Sequence, residues 1–325
     1  MEHTFTKQEA LKDYHPAKHT LFIIGPTASG KTGLGIELAK KHQKAVISAD
    51  SRQIYLDMDI GTAKPGIRLN PPANTQDLWQ KPIQVDGIDH YCVDIIKPSE
   101  RYTAFDFKQQ AYDLIQKLDN PIIVGGTGLY VDILLHNYAL QAQGQNESDE
   151  IRSRLVKEFE EIVQNSCETE AKQQMWEKLK KVDPESAAEI HPNNWRYVCR
   201  ALELYELTGE SKTTVATKQK PPFEPYIVGI HWDRAKLYER IELRIDMQMD
   251  EGLLQETKDL LAKYDHDLPA LTSLGYLELK EHLEGNTSLE EAVAMFKQNT
   301  RRFAKRQIGW FRRYADCKWI EASSL

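Results

Sequence analysis

Leu21-Phe22-Ile23-Ile24-Gly25-Pro26-Thr27-Ala28-Ser29-Gly30-Lys31-Thr32 is the stretch that decides the fold. Its four leading apolar residues read as a buried strand, and a helical pattern opens at Thr32. Between them lies the phosphate-binding loop pattern in its required setting, strand then loop then helix. The glycines let the backbone curl so that successive amides point inward at phosphate oxygens. Lys31 adds a point charge, and Thr32 offers a hydroxyl to Mg2+. Gly25, Pro26, Thr27, Ala28, Ser29, Gly30, Lys31 and Thr32 are therefore expected to cradle a diphosphate or triphosphate group.

Working outward, the first 138 residues alternate apolar runs with amphipathic segments. Expected strands are Thr20–Ile24, Ala45–Ala49, Cys92–Ile96 and Pro121–Val124; expected helices are Thr32–His42, Thr103–Leu118 and Leu129–Leu135. This is an α/β pattern, a P-loop-containing parallel sheet flanked by helices, whose ligands gather at the carboxyl ends of the strands. Gly66 to Asp89 lacks a period and reads as a long surface loop. After Tyr138 the composition shifts. Asn146 to Glu189 is charged, acidic, free of glycine and helical in pattern, an all-helical insertion. One more strand, Tyr226–His231, follows the break Pro221-Pro222-Phe223-Glu224-Pro225, and the rest is helical to about Tyr314. The domain reading is a core over 1–138 and 196–325, with an insertion over 139–195.

The chain has 325 residues, 41% hydrophobic and 28% charged, which suits a folded chain with a real core. No apolar run approaches membrane-spanning length, and residues 1 to 18 read as a short flexible lead-in without the apolar centre of a signal peptide. Cys92, Cys167, Cys199 and Cys317 lie far apart and read as reduced thiols, so a cytoplasmic location is expected. A net charge of −7 argues weakly against a nucleic-acid partner.

Asp50 ends an expected strand and precedes Ser51-Arg52-Gln53. A carboxylate there is placed for general-base work, and equally for capping a turn. The strand Pro121–Val124 runs into Gly125-Gly126-Thr127-Gly128, which brings backbone and a hydroxyl near a ligand but supplies no carboxylate. Ile60-Gly61-Thr62-Ala63-Lys64-Pro65 reads by itself as a solvated turn. Arg240 and Arg244 are four apart, on one helix face, and suit either a diphosphate grip or a solvated surface. From Phe296 to Tyr314, the residues Phe296, Phe303, Trp310 and Tyr314 form an aromatic stripe that reads as core packing. Opposite and beside it lie Arg301, Arg302, Lys305, Arg306, Arg312 and Arg313. So concentrated a basic face in an acidic chain favours contact with nucleic-acid phosphates. Charge is segregated, and the net value does not veto RNA.

Together these residues resemble the tRNA dimethylallyltransferase family, which modifies adenosine 37 of tRNA. The match runs from Leu21 to about Tyr314. It rests on Gly25–Thr32, Asp50–Gln53, Gly61–Pro65, Tyr102–Phe107, Gly125–Tyr130, Arg200–Glu203, Leu274–Tyr276 and Lys305–Arg312. The resemblance implies transfer of a dimethylallyl group from dimethylallyl diphosphate to N6 of the adenine, with pyrophosphate leaving and Mg2+ as cofactor. It implies that Asp50 takes the amine proton, that Lys31, Thr32 and Arg240 or Arg244 neutralise the leaving group, and that Thr127 lies near the transferred carbon. It implies tRNA contacts at Asp50, Ser51, Arg52, Gln53, Arg196, Arg200, Leu271, Gly275, Tyr276, Lys305, Arg306, Gln307, Trp310 and Arg312, with the helical insertion closing on the anticodon stem-loop. A monomer of bacterial type, without the eukaryotic zinc-finger extension, is expected. Two departures stand out: Arg196-Tyr197 where the family commonly has a Gln-Arg pair, and a Gly66–Asp89 loop longer than usual, which receives no role.

Rival readings are a small-molecule or nucleoside kinase, which shares loop and sheet, and a non-catalytic RNA-binding protein. The kinase gives no reason for the basic helix. The RNA-binding protein, with a vestigial nucleotide site, predicts that Asp50→Ala leaves cellular function intact.

Overall fold

The structure, a computed structural model, describes residues 4–138, 145–209, 211 and 219–325, with the backbone alone for 145–149. The chain divides into two compact units, one formed by Met1–Leu135 with Pro221–Leu325 and the other by His136–Lys220.

In the first unit the buried run His19–Ile24 forms strand β2, flanked in sequence by β1 (Thr4–Phe5), α1 (Lys7–Ala10), α2 (Lys31–His42) and β3 (Val46–Ser48). Then come β4 (Ile83–Val85), β5 (Ile88–Tyr91), α3 (Ala104–Lys117), β6 (Ile122–Gly125) and α4 (Gly128–His136). The sheet order is β1-β8-β7-β2-β6-β3-β5-β4, where β7 is Glu224–His231 and β8 is Lys318–Glu321. Every pairing is parallel except β4 with β5. A central parallel strand must be covered on both faces, which is why every residue of β2 is buried. Leu21 and Ile23 pack with Leu34 and Leu38 of α2, while Phe22 points the other way and stacks on Phe223 at 5.9 Å.

Beyond β7 the chain adds α9 (Arg234–Asp250), α10 (Leu253–Lys263), α11 (Tyr276–Leu283) and α12 (Leu289–Phe311). These helices share a core with Ile54, Tyr55, Leu56 and Met58 from the segment after β3. Helix α12 starts at a capping box, Ser288 with Glu291, and buries Phe296, Thr300, Ala304, Gln307 and Phe311 along one stripe.

The second unit holds α5 (Gln145–Asn165), α6 (Glu168–Val182), α7 (Pro184–Glu189) and α8 (Trp195–Thr208). Residues 139–144 of the expected insertion lie outside the described residues. The unit runs past the expected end at residue 195, because Val198, Cys199, Ala201 and Leu202 of α8 complete the core with Leu155, Phe159, Met175 and Leu179.

Several local expectations are corrected. The expected lead-in contains β1, which pairs with β8, and Tyr14, which is buried. Cys92–Ile96 is not a strand: pairing with β3 ends at Tyr91, and Cys92 and Asp94 take positive φ of 59° and 53°. The apolar look of that segment comes from side chains buried at a turn, Cys92 and Val93 both at 0% exposure. The Gly66–Asp89 stretch carries a 3-10 turn at Leu78–Gln80, strand β4 and the start of β5.

Candidate active site

Three loops emerge at the carboxyl ends of β2, β6 and β3, which are neighbours in that order. The first, Gly25–Gly30, is a nest of unusual backbone angles: Gly25 at φ 151°, Ala28 at 60° and Gly30 at 94°. Gly30 caps α2 in the left-handed region without any side-chain hydrogen bond, so the first amides of α2 stay available to an anion. The loop is tied from outside at each of its middle residues. The Thr27 amide donates to Gln307 Oε1 at 2.8 Å, Arg240 Nε donates to the Ala28 carbonyl at 2.9 Å, and Trp232 Nε1 donates to the Ser29 carbonyl at 2.9 Å. Arg240 also stacks on Trp232 at 4.5 Å. Trp232 escaped the sequence reading; its signal was its place just past β7, the strand beside β2.

The middle loop, Gly125–Gly128, must be small. A methyl group on Gly125 would lie 2.2 Å from the Ala49 carbonyl oxygen, and one on Gly128 would lie 2.5 Å from the Trp310 ring. Thr127 joins this loop to the third. Its amide donates to the Ala49 carbonyl at 3.2 Å, and its Oγ1 accepts from the Ser51 amide at 2.9 Å. Asp50 sits between those two anchored residues, and one of its carboxylate oxygens accepts from the Arg52 amide at 2.9 Å. The aspartate does close a turn, as the modest reading had it, yet its second oxygen is not consumed by that turn.

The charges around Asp50 are arranged for an anion. Lys31 is folded back, its Nζ donating to the Pro26 carbonyl at 2.7 Å. Burial pushes its ammonium down to about 8, with the Asp50 carboxylate opposing that fall and the Arg244 guanidinium adding to it. Arg244 is likewise pulled down by burial and held up by Asp50 and Glu251. Lys31, Asp50 and Arg244 thus share one electrostatic neighbourhood. Arg240, an exposed residue, braces the loop through its Nε.

The pattern of the family described as IPP transferase matches residues 53–314, and that of isopentenyl transferase matches residues 18–69. The chain is 39% identical over 305 residues to a tRNA dimethylallyltransferase of Oceanobacillus iheyensis, a match covering 92% of this chain and 90% of the relative. The chain belongs to the IPP transferase family. Among solved structures it is similar to the tRNA isopentenylpyrophosphate transferase of Bacillus halodurans, with 37% identity, a TM-score of 0.63 and coverage of 94% of this chain and 90% of that one. It is also similar to a eukaryotic dimethylallyltransferase solved acting on tRNA, at 26% identity and a TM-score of 0.70, covering 94% of this chain and 74% of that one.

As an IPP transferase, the chain was expected to use Mg2+ at Thr32. Among the described residues no group of three or more His, Cys, Asp or Glu could hold a metal. The Thr32 hydroxyl makes no hydrogen bond among them, and the neighbouring Ser29 hydroxyl is buried without a partner. One hydroxyl beside a diphosphate cradle fits an ion bound mainly through substrate oxygens and water, which is the habit of Mg2+.

The residues expected at the RNA sort into three groups. Lys305 and Arg306 are exposed on α12 and Arg312 is exposed at its C-cap, and Arg52 is partly exposed with its guanidinium on the Pro269 carbonyl at 3.1 Å. Arg196 and Arg200 are exposed on α8 of the second unit, where Arg200 pairs with Glu203. The third group is buried and corrects the expectation of direct side-chain contact. Leu271 and Tyr276 are 2% and 1% exposed, and Gln307 is 7% exposed. The Tyr276 hydroxyl donates to Glu256 at 2.7 Å, and its ring lies where a methyl on Gly61 would have to go. Gly275 takes φ 90° at the start of α11. Gln53 is also occupied within the fold, accepting from Ser48 at 2.9 Å and donating to the Ala63 carbonyl at 3.1 Å. Trp310 packs its ring on Gly128 and under Arg313.

Proposed function

We propose that this chain transfers a dimethylallyl group from dimethylallyl diphosphate to N6 of adenosine 37 in the anticodon loop of tRNA. The observation that carries this reading is the meeting of a glycine-lined anion cradle after β2 with a carboxylate after β3, on either side of a loop of small residues after the intervening β6. A phosphoryl-transfer enzyme would be expected to place a second carboxylate on that middle strand, where this chain has Gly125-Gly126-Thr127-Gly128.

In the reaction N6 forms a bond to the allylic carbon as the carbon–oxygen bond to diphosphate breaks. The amine proton goes to the unconsumed oxygen of Asp50, and pyrophosphate departs with the electron pair. An aryl amine is a weak nucleophile, so general-base help is worth roughly 10²–10⁴-fold. Charge builds on the leaving group, and the loop amides, the α2 N-terminus, Lys31 and Arg244 face it. Of the two candidate arginines, Arg244 is the one whose charge couples to Asp50, whereas Arg240 holds the loop. The Thr32 hydroxyl would hold Mg2+, which would supply further charge neutralisation to the leaving group.

Flipping the base out of a single-stranded loop lets N6 reach a site set at the strand ends. The exposed basic face of α12 supports a role in holding the RNA backbone, and Arg196 on α8 supports one for the helical unit. Among the described residues no helix is long and apolar enough to cross a membrane. The test is mass spectrometry of nucleosides from unmodified tRNA incubated with protein, Mg2+ and dimethylallyl diphosphate. N6-(dimethylallyl)adenosine at position 37 is the expected product, and ATP in place of the prenyl donor is expected to label nothing.

A further inference from the structure

The cradle and the base stand on different loops, and something must fix the distance between them. We infer that Gln307 is a positioning residue that sets this distance by joining the diphosphate loop to the loop that carries Thr127. Its carboxamide spans the gap. Oε1 accepts from the Thr27 amide at 2.8 Å, and Nε2 donates to the Gly126 carbonyl at 2.8 Å. The next residue, Thr127, continues the path to both neighbours of Asp50, through the Ala49 carbonyl and the Ser51 amide. A single hydrogen-bonded chain therefore runs Thr27–Gln307–Gly126–Thr127–Ser51, following the strand order β2-β6-β3.

Three features make this more than ordinary core packing. Gln307 lies on the buried stripe of α12, where an apolar residue would satisfy the packing alone. Both of its polar ends are used, and both partners are main-chain groups of ligand-facing loops. A methyl on Gly126 would lie 2.5 Å from Nε2, so a side chain at that position would have to displace the carboxamide. The opposite end of α12 is buttressed by Phe296 and the rest of the helical core, so the carboxamide is held on a rigid element.

This inference rests on the proposed reading of the cradle as the donor site and Asp50 as the base. Its test uses the full chain with Gln307→Met, which keeps volume and loses both hydrogen bonds, and Gly126→Ala, which pushes the same carboxamide aside from the other partner. For each we would measure the donor KM, the single-turnover rate of prenyl transfer, tRNA Kd and Tm. A displacement near 1 Å at a reacting centre costs about 10²-fold, so a fall in rate of roughly 10–100-fold is expected, with a raised donor KM. The tRNA Kd should stay within about twofold, and the double variant should be no worse than the poorer single one, because both break one path. Loss of tRNA affinity with donor KM and rate unchanged would overturn the inference and make Gln307 an RNA contact. Wild-type kinetics in either variant would overturn it too, and Gly126→Ala alone decides if Gln307→Met does not fold. Absence of prenyl transfer by the wild-type protein would instead reject the underlying reading.

Discussion

Two lysine-bearing, glycine-containing loops sit within the same unit and use their lysines in opposite ways. In Gly25–Thr32 the Lys31 ammonium has one hydrogen-bond partner among the described residues, the Pro26 carbonyl, and burial lowers its pKa to about 8. In Ile60–Pro65 the Lys64 side chain is 1% exposed and its ammonium is taken by the Tyr55 carbonyl at 2.6 Å, Asp59 at 2.6 Å and the buried Asp94. That second loop is bound further by Glu256, which accepts from the amides of Asp59, Ile60 and Gly61. Lys64 is spent on the fold, while Lys31 is left with few acceptors in the place where the proposed reading puts a diphosphate. A lysine's partners, more than the motif around it, decide whether it serves structure or ligand.

The comparison can be broken most sharply at Lys64. Replacing it with methionine leaves Asp94 and Asp59 without their cation, and breaking a buried pair from one side costs about 3–5 kcal/mol. Thermal or urea unfolding should show that loss, while the donor KM of the protein that remains folded should change little. The mirror experiment is Lys31→Met, expected to lower kcat/KM for the donor by roughly 10²–10³-fold, as does removal of one preorganised donor from an anion site. Its Tm should hold or rise, because a charge held in a desolvating place has been removed.

A pH profile sharpens the same point. The free Lys31 ammonium loses its proton as pH rises through about 8, so it attracts a diphosphate below that value and not above it. The donor kcat/KM is therefore expected to fall with rising pH beyond about 8. In Lys31→Arg, whose charge persists, that alkaline limb should disappear. The smallest effect separates the arginines. Arg244→Lys should raise the donor KM more than Arg240→Lys, since the Arg244 guanidinium is buried in the neighbourhood of Asp50 while Arg240 braces the loop from an exposed position, and steady-state kinetics at neutral pH reads the difference.

Features resting on neighbouring residues were legible in the sequence. The strand, loop and helix around Gly25–Thr32, the carboxylate after β3 and the small-residue loop after β6 all announce themselves within a few positions. Features resting on distant partners were not. Gln307 lies 280 residues from Thr27, so its carboxamide looks like any polar residue of a basic helix until the fold brings the two together. The Ile60–Pro65 turn looked solvated for the same reason, since Glu256, Gln248 and Tyr276 reach it from 187 or more positions away, apart from the tyrosine's own link through Glu256. Edge pairing of β1 with β8 joins the two ends of the described chain and leaves no local trace.

The central claim is that Asp50 acts on a nucleobase held across from the diphosphate cradle. The most direct measurement is the single-turnover rate of prenyl transfer by Asp50→Asn, with donor and tRNA affinities determined on the same preparation. The account predicts a fall of roughly 10²–10⁴-fold in rate with tRNA affinity retained. A rate within a few fold of wild type, at unchanged affinities, would contradict it.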